Sequence, residues 1–382
     1  MRRFAFSFSF LLLGIAMIVT ASASAADTVR VYFGTYTGKG EADSKGIYLS
    51  EFDLDSGKLG EPKLVAETQN PTFLALNPKK DVLYAAGEVG NYNGEKAGGV
   101  FAYAIDKKTG GLTLLNSESA KGGGTCHVST DPDGKYVFAA NYGGGSVCVF
   151  KVLDDGKLAP ADGYVQHAGS SVNPGRQKEP HAHSMNTDRK GKRVYACDLG
   201  LDMVLIYKFD GGKLVASEPS SASTPPGGGP RHLSFSPNNK YAYVCNELTS
   251  SVTVFAHNHD TGALLELQTI STLPEPVKGN STAEILVHPS GKFVYCSNRG
   301  HDSIAIFTVD EATGKLTGAG YQPTGGKTPR NFNIDPSGKY LLAANQTTGD
   351  VHVFKINTDT GALTPTGSSI KVKGAVRVLF VK

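Results

Sequence analysis

From about residue 70 onward the chain alternates short apolar runs with polar, glycine-rich turns. The runs are too short for amphipathic helices and rich in Val, Tyr and Phe, as strands are. Tyr136-Val137-Phe138-Ala139-Ala140 and Ser146-Val147-Cys148-Val149-Phe150 are two in succession. The turns repeat as well. Asp131-Pro132-Asp133-Gly134-Lys135 returns as Ser236-Pro237-Asn238-Asn239-Lys240, His288-Pro289-Ser290-Gly291-Lys292 and Asp335-Pro336-Ser337-Gly338-Lys339. Asn77-Pro78-Lys79-Lys80 and Asp188-Arg189-Lys190-Gly191-Lys192 are degraded copies. Lys135, Lys192, Lys240, Lys292 and Lys339 stand 57, 48, 52 and 47 residues apart. Each unit reads as a run, the Pro-x-Gly-Lys turn, a second run, a polar turn and a third run. A Thr-Gly-x-Leu turn, as in Thr261-Gly262-Ala263-Leu264, then opens a fourth. Four antiparallel strands per repeat of this length predict a propeller blade.

Six such units run from about Asn70 to Gly374. The chain ends supply a seventh: Ala375 to Lys382 gives one strand, and Val29 to Phe33, Ile47 to Phe52 and the stretch after Lys58 give three more. The expected fold is therefore all-β, a seven-bladed β-propeller over residues 27–382. Its closing blade is shared by the N- and C-terminal strands, which closes the ring and hides its edges.

The first residues do not fit this pattern. Arg2 and Arg3 precede an uncharged apolar run from Phe4 to Thr20, and small residues follow, with Ala23-Ser24-Ala25 as a cleavage site. Residues 1–26 read as a secretory signal peptide, so the protein is expected to be secreted or periplasmic. The run is short for a membrane anchor, and no membrane association is expected after cleavage. A net charge of +3 gives no case for nucleic acid as a partner. Cys126, Cys148, Cys197, Cys245 and Cys296 are an odd number without a CxxC spacing, each within a strand-like run. They read as small buried residues rather than a disulfide framework.

The repeat also separates scaffold from chemistry. Nine residues after the turn proline (or Arg189 in its place) stand Gly87, Asn141, Asp198, Asn246, Asn298 and Asn345, a near-uniform row of turn-closing residues. Six residues before the proline stand Thr72, Cys126, His183, Arg231, Ala283 and Arg330. Ten after it stand Glu88, Tyr142, Leu199, Glu247, Arg299 and Gln346. These two rows vary, and both face one mouth of the ring. Residues equidistant from a hairpin turn are neighbours. The pairings expected on that basis are Arg231 with Glu247, His183 with Asp198, and Glu284 with Arg299. Ion pairs stapling adjacent blades are the plain alternative to a functional cluster.

Other candidates carry less. His181 and His183 in Pro180-His181-Ala182-His183 share a face but lack a third ligand, so no metal is expected. His127, His232, His288 and His352 read as isolated surface or core residues. There is no nucleophile elbow, HExxH or phosphate-cradling glycine loop, and no cofactor is expected. Gly122-Gly123-Gly124 and Gly227-Gly228-Gly229 read as loops between blades.

Several stretches resemble the seven-bladed bacterial 6-phosphogluconolactonases, whose fold is shared with fungal carboxymuconate cyclase. They are Val31-Tyr32-Phe33-Gly34-Thr35-Tyr36-Thr37, Pro180-His181-Ala182-His183-Ser184, Gly229-Pro230-Arg231-His232, Tyr243-Val244-Cys245-Asn246-Glu247-Leu248, Ser297-Asn298-Arg299 and Thr328-Pro329-Arg330-Asn331-Phe332-Asn333. They span the mature chain in order. The resemblance implies a hydrolase that opens a sugar-acid lactone, with a small anionic lactone as its partner. It places function on His183, Arg231, Glu247 and Arg299, with Arg330 on the same mouth. The leader departs from the setting of the namesake reaction, whose phosphorylated substrate is a cytoplasmic intermediate. In the expected mechanism His183, oriented by Asp198, deprotonates water, while Glu247 is the poorer base because Arg231 lowers its pKa. Arg231 and Arg299 hold an anionic group or the oxyanion, and Arg330 and His181 bind substrate. The rivals are a non-catalytic secreted propeller that binds an anionic partner, and a muconate-type cyclase.

Overall fold

A computed structural model describes residues 1–5, 27–38 and 44–381. The leader expected over residues 1–26 lies, apart from residues 1–5, outside the described residues. Among the described residues all regular structure is β: seven antiparallel sheets, six of them four-stranded in simple up-and-down order. The innermost strands are Pro71–Leu76, Thr125–Thr130, Ala182–Thr187, Pro230–Phe235, Ser281–Val287 and Pro329–Ile334 in blades 1 to 6, and Ala375–Val381 in blade 7. In blade 7 the C-terminal strand pairs with Thr28–Thr35, which pairs with Gly46–Asp53. Lys58–Leu59 and Lys63–Glu67 share the outer position. The closing blade is the one the sequence predicts.

The core lies between blades rather than within one. One cluster joins Phe33, Phe52 and Phe380 of blade 7 to Tyr340, Leu342 and Val353 of blade 6, all under 10% exposed. The second strands carry buried tyrosines whose hydroxyls donate to glycine carbonyls of the next blade. Tyr32 reaches Gly110 (2.6 Å), Tyr195 reaches Gly262 (3.1 Å), Tyr243 reaches Gly314 (3.1 Å) and Tyr295 reaches Gly361 (2.8 Å). Each bond is worth about 1 kcal/mol, and each acceptor glycine has positive φ, so the turn motif and the tyrosine act as one blade-to-blade clasp. The five cysteines are free and buried, four of them (Cys148, Cys197, Cys245 and Cys296) in these layers.

One irregularity positions the site. In every blade the pairing of the first and second strands slips at the same place. The residues left out of the ladder are Thr72, Cys126, His183, Arg231, Ala283 with Glu284, Arg330, and Val376 in blade 7. A residue omitted from a ladder is a β-bulge, and a bulge re-aims its side chain. Seven bulges at one height thus make a ring of side chains around the channel.

Candidate active site

The bulge row, together with the residues ten after each turn, lines one mouth. Glu247 stands at its centre. Its Oε2 accepts from Arg231 Nε (3.0 Å) and forms an ion pair with Arg299 Nη2 (3.0 Å), and its Oε1 accepts from Arg176 Nη2 (2.8 Å). Burial alone would raise the Glu247 pKa, but Arg299, Arg231 and Arg176 outweigh it and hold the carboxyl at about 2. Burial takes the Arg299 guanidinium down to about 10, against the pull of Glu247.

His183 is buried beside this carboxylate, with Nε2 4.0 Å from Glu247 Oε2 and Nδ1 3.8 Å from Cys126 Sγ. The first distance exceeds a direct hydrogen bond. Burial, then Arg231, His232 and Arg330, push its pKa well below that of a free imidazole. His183 is therefore neutral at neutral pH.

Arg330 sits over the Tyr36 ring, 5.2 Å from its centroid, and Nη2 donates to the Tyr36 hydroxyl (3.0 Å). That hydroxyl donates to Glu88 Oε1 (2.7 Å), and Thr72 donates to Glu88 Oε2 (2.7 Å). His181 stacks on the Tyr142 ring at 4.5 Å, with Nδ1 3.0 Å from the Tyr142 carbonyl. Four guanidiniums (Arg176, Arg231, Arg299, Arg330) face two carboxylates (Glu88, Glu247), a surplus of two positive charges. Beside them a cavity of ≈560 Å³ opens between Glu88 and Tyr142, with Lys96 and Lys121 on its rim. Among the described residues no three His, Cys, Asp or Glu side chains gather as metal ligands.

The predicted pairing of Arg231 with Glu247 is present; the other two are not. Asp198 does not meet His183. It pairs with Ala182 in the ladder, and its Oδ2 takes His167 Nδ1 (2.6 Å) while Oδ1 accepts from the backbone of His181 (2.8 Å) and Gly200 (2.9 Å). His167 Nε2 in turn lies 2.9 Å from the Tyr207 hydroxyl. Asp198 thus does what its row does elsewhere, bonding neighbouring backbone, as Asn298 does with the Thr272 carbonyl. Glu284 does not meet Arg299 either: like His232, Asn331 and Arg377 it is the residue after the bulge position, and it joins them in the layer beneath. Arg299 reaches across to Glu247 of blade 4 instead. For His183 the bulge breaks the register that equidistance assumes; Glu284 stands level with Ser297, whose hydroxyl accepts from the Glu284 N–H (3.0 Å).

Arg176, Tyr36 and Glu88 join the site without having been singled out. Arg176 comes from the long connection between Asp162–Gln166 and Ala182–Thr187, which Asp202 pins by accepting from Ser171 Oγ (2.6 Å) and Gln177 Nε2 (2.6 Å). The signal was available: the 57-residue lysine spacing is the longest of the four. Glu88 belongs to a quoted row, and Tyr36 is its counterpart in blade 7, where its N–H donates to the Gly374 carbonyl.

Known proteins share this architecture and sequence. The family described as "Lactonase, 7-bladed beta-propeller" matches residues 30–380. The 6-phosphogluconolactonase of Bacillus subtilis (strain 168) is 40% identical over 300 residues, 78% of this chain and 83% of that protein. The periplasmic gluconolactonase PpgL of Pseudomonas aeruginosa superposes with a TM-score of 0.87 at 34% identity, covering 93% of this chain and 99% of the other. A Lactobacillus plantarum protein gives 0.85 at 33%, covering 93% and 100%. The chain belongs to the seven-bladed β-propeller lactonase family.

Proposed function

We propose that the protein is a lactone hydrolase that opens an anionic sugar-acid lactone, and that it acts after export. The observation that carries this is the buried His183 with Nε2 4.0 Å from Glu247 Oε2, in a mouth with two surplus positive charges. Water bridging His183 Nε2 and Glu247 Oε2 donates one hydrogen to each. A proton on His183 Nδ1, directed at Cys126 Sγ, leaves Nε2 free to accept. The water oxygen attacks the ring carbonyl carbon, and its proton passes to Nε2. Negative charge on the carbonyl oxygen is met by guanidinium N–H groups already in place. Collapse breaks the ring C–O bond, and His183 returns the proton to the departing alkoxide. The product is an open hydroxy acid, which releases its own proton to solvent. Glu247 is not the base, since a carboxyl held at about 2 accepts protons poorly at neutral pH.

A lactonase family and a relative named for 6-phosphogluconolactone support a lactone substrate. The N-terminal pattern and a neighbour titled periplasmic gluconolactonase support export. The test is base uptake at constant pH with glucono-1,5-lactone, 6-phosphogluconolactone and an uncharged lactone, each against its spontaneous rate. The expected result is acceleration of a sugar-acid lactone, strongest with an anionic group, and loss of that acceleration in His183→Gln. Tight binding of the acids without acceleration of any lactone would mark an anion-binding propeller instead.

A further inference from the structure

We propose that His232 and Glu284, one layer below the mouth, are positioning residues that fix the plane of the Arg231 guanidinium and keep its Nη2 turned to the substrate. The proposal rests on Arg231 meeting the substrate. Glu284 is 3% exposed, and its Oε1 lies 2.8 Å from His232 Nδ1. An ionised carboxylate only accepts, so the proton of His232 is on Nδ1. Glu284 stays ionised because His232 and Arg377 outweigh its burial, with Arg377 Nη1 3.7 Å from Oε2 and Asn331 Nδ2 donating to the same oxygen. Burial lowers the His232 pKa below that of a free imidazole, so the ring carries this one proton and Nε2 keeps its lone pair, 3.2 Å from Arg231 Nη1.

That fixes the donor pattern of Arg231. Nε gives its hydrogen to Glu247 Oε2, and Nη1 gives one to His232 Nε2 and one to the Ala283 carbonyl. Nη2 takes part in none of these bonds. Three acceptors in three directions define the guanidinium plane, where a lone carboxylate would leave a long side chain free to rotate. Arg299 is held less fully, by Glu247 and the Thr282 carbonyl through one nitrogen, with Nε unpaired. In blade 5 Ala283 and Glu284 stand outside the ladder opposite Ser297. The Ala283 carbonyl bears on Arg231 directly and the Glu284 carboxylate through His232.

The test compares His232→Phe, which keeps a ring but no acceptor, with His232→Gln, whose carbonyl can accept from Nη1. His232→Phe should lower kcat/KM for the lactone about 10–100-fold, and His232→Gln should recover most of the loss. In an Arg231→Lys background, His232→Phe should cost little more. Equal losses in both backgrounds, or Gln as damaging as Phe, would overturn the proposal. A second readout needs no turnover: nitrogen-15 NMR of the arginine side chains. In the wild type, Arg231 Nη1 and Nη2 should give separate proton signals, and in His232→Phe they should merge. Signals already merged in the wild type, or still resolved in His232→Phe, count equally against it. If His232→Phe fails to fold, Glu284→Gln serves, since it removes the charge that keeps the proton on Nδ1. A wild type that opens no lactone but shows the NMR change separates failure of the function from failure of the positioning.

Discussion

Two layers of side chains fill the central channel, built from neighbouring residues of the same strands, and they differ in charge balance. The upper layer, Arg231, Arg299, Arg330 and Arg176 around Glu247 and Glu88, keeps two surplus positive charges and opens to solvent. In the lower layer Arg377 lies 3.9 Å over the Phe73 ring and pairs with Glu284, which also takes His232 and Asn331. There one arginine meets one carboxylate, and His127 is kept neutral by burial with its ring 4.2 Å from Phe73. A closed charge balance needs no ligand; an open one attracts an anion. The same fold therefore supplies a layer with surplus positive charge and a charge-balanced layer by shifting one residue along each strand. A cavity of ≈10 Å³, about the room for one water, lies where Arg231 and Arg330 of the upper layer meet Phe73, His232 and Asn331 of the lower.

The largest expected effect breaks both layers at once. Deleting residues 375–382 removes Val376 from the upper layer, Arg377 from the lower, and a strand from the closing blade. The chain should lose its cooperative melting transition and aggregate through exposed edges. A truncated protein that melts like the wild type rules out the closure as a source of stability.

Next come changes confined to the upper layer. His183→Gln should cut kcat by about 10²–10⁴-fold with melting little changed. The wild-type rate, corrected for spontaneous opening, should be flat through neutral pH, because the His183 pKa is pushed well below 6.5. Acidification through that lowered pKa protonates the base, so the rate should fall there. A rate that climbs between pH 6 and 8 would point to a different base.

Glu247→Gln leaves three guanidiniums without their shared partner. It should remove activity and also cost about 3–5 kcal/mol of stability, as losing one member of a buried ion pair does. Folding lowers this carboxyl from 4.5 to about 2, so the unfolded chain takes up the proton first as acid is added. The stabilisation is whole above about pH 4.5 and is lost as pH falls towards 2. Acid unfolding of Glu247→Gln should lack that component, which urea titrations across pH would detect.

The smallest effects lie at the rim and behind the site. Arg176 is 42% exposed in its side chain, so Arg176→Ala should change stability by less than about 1 kcal/mol. It should raise KM for an anionic lactone more than for an uncharged one. Asp198→Asn should lower the melting temperature by disturbing His167 and the backbone it binds, yet leave the pH profile unmoved. A shifted profile would restore Asp198 to the orientation of His183.

The repeat was legible because it is local. A Pro-x-Gly-Lys turn between Val- and Tyr-rich runs dictates a hairpin whatever surrounds it, and counting such units gives seven blades and a shared closure. The variable rows were legible for the same reason: His183, Arg231, Glu247, Arg299 and Arg330 stand where the scaffold does not repeat, and the folded ring brings them to one mouth. Arg176 was masked, because a loop longer than its counterparts shows its length but not where its tip lands.

What the sequence determined by itself is the ring and the row of residues on its mouth, since both follow from strand period and turn chemistry. Partner choice was decided only in three dimensions. Whether His183 faces Asp198 or Glu247 depends on a bulge that shifts register by one residue, and whether Glu284 meets Arg299 or His232 depends on which layer of the channel its side chain enters. Such a slip leaves no mark in the alternation of apolar and polar positions, because the bulged side chains point into a channel that exists only after seven blades have packed together.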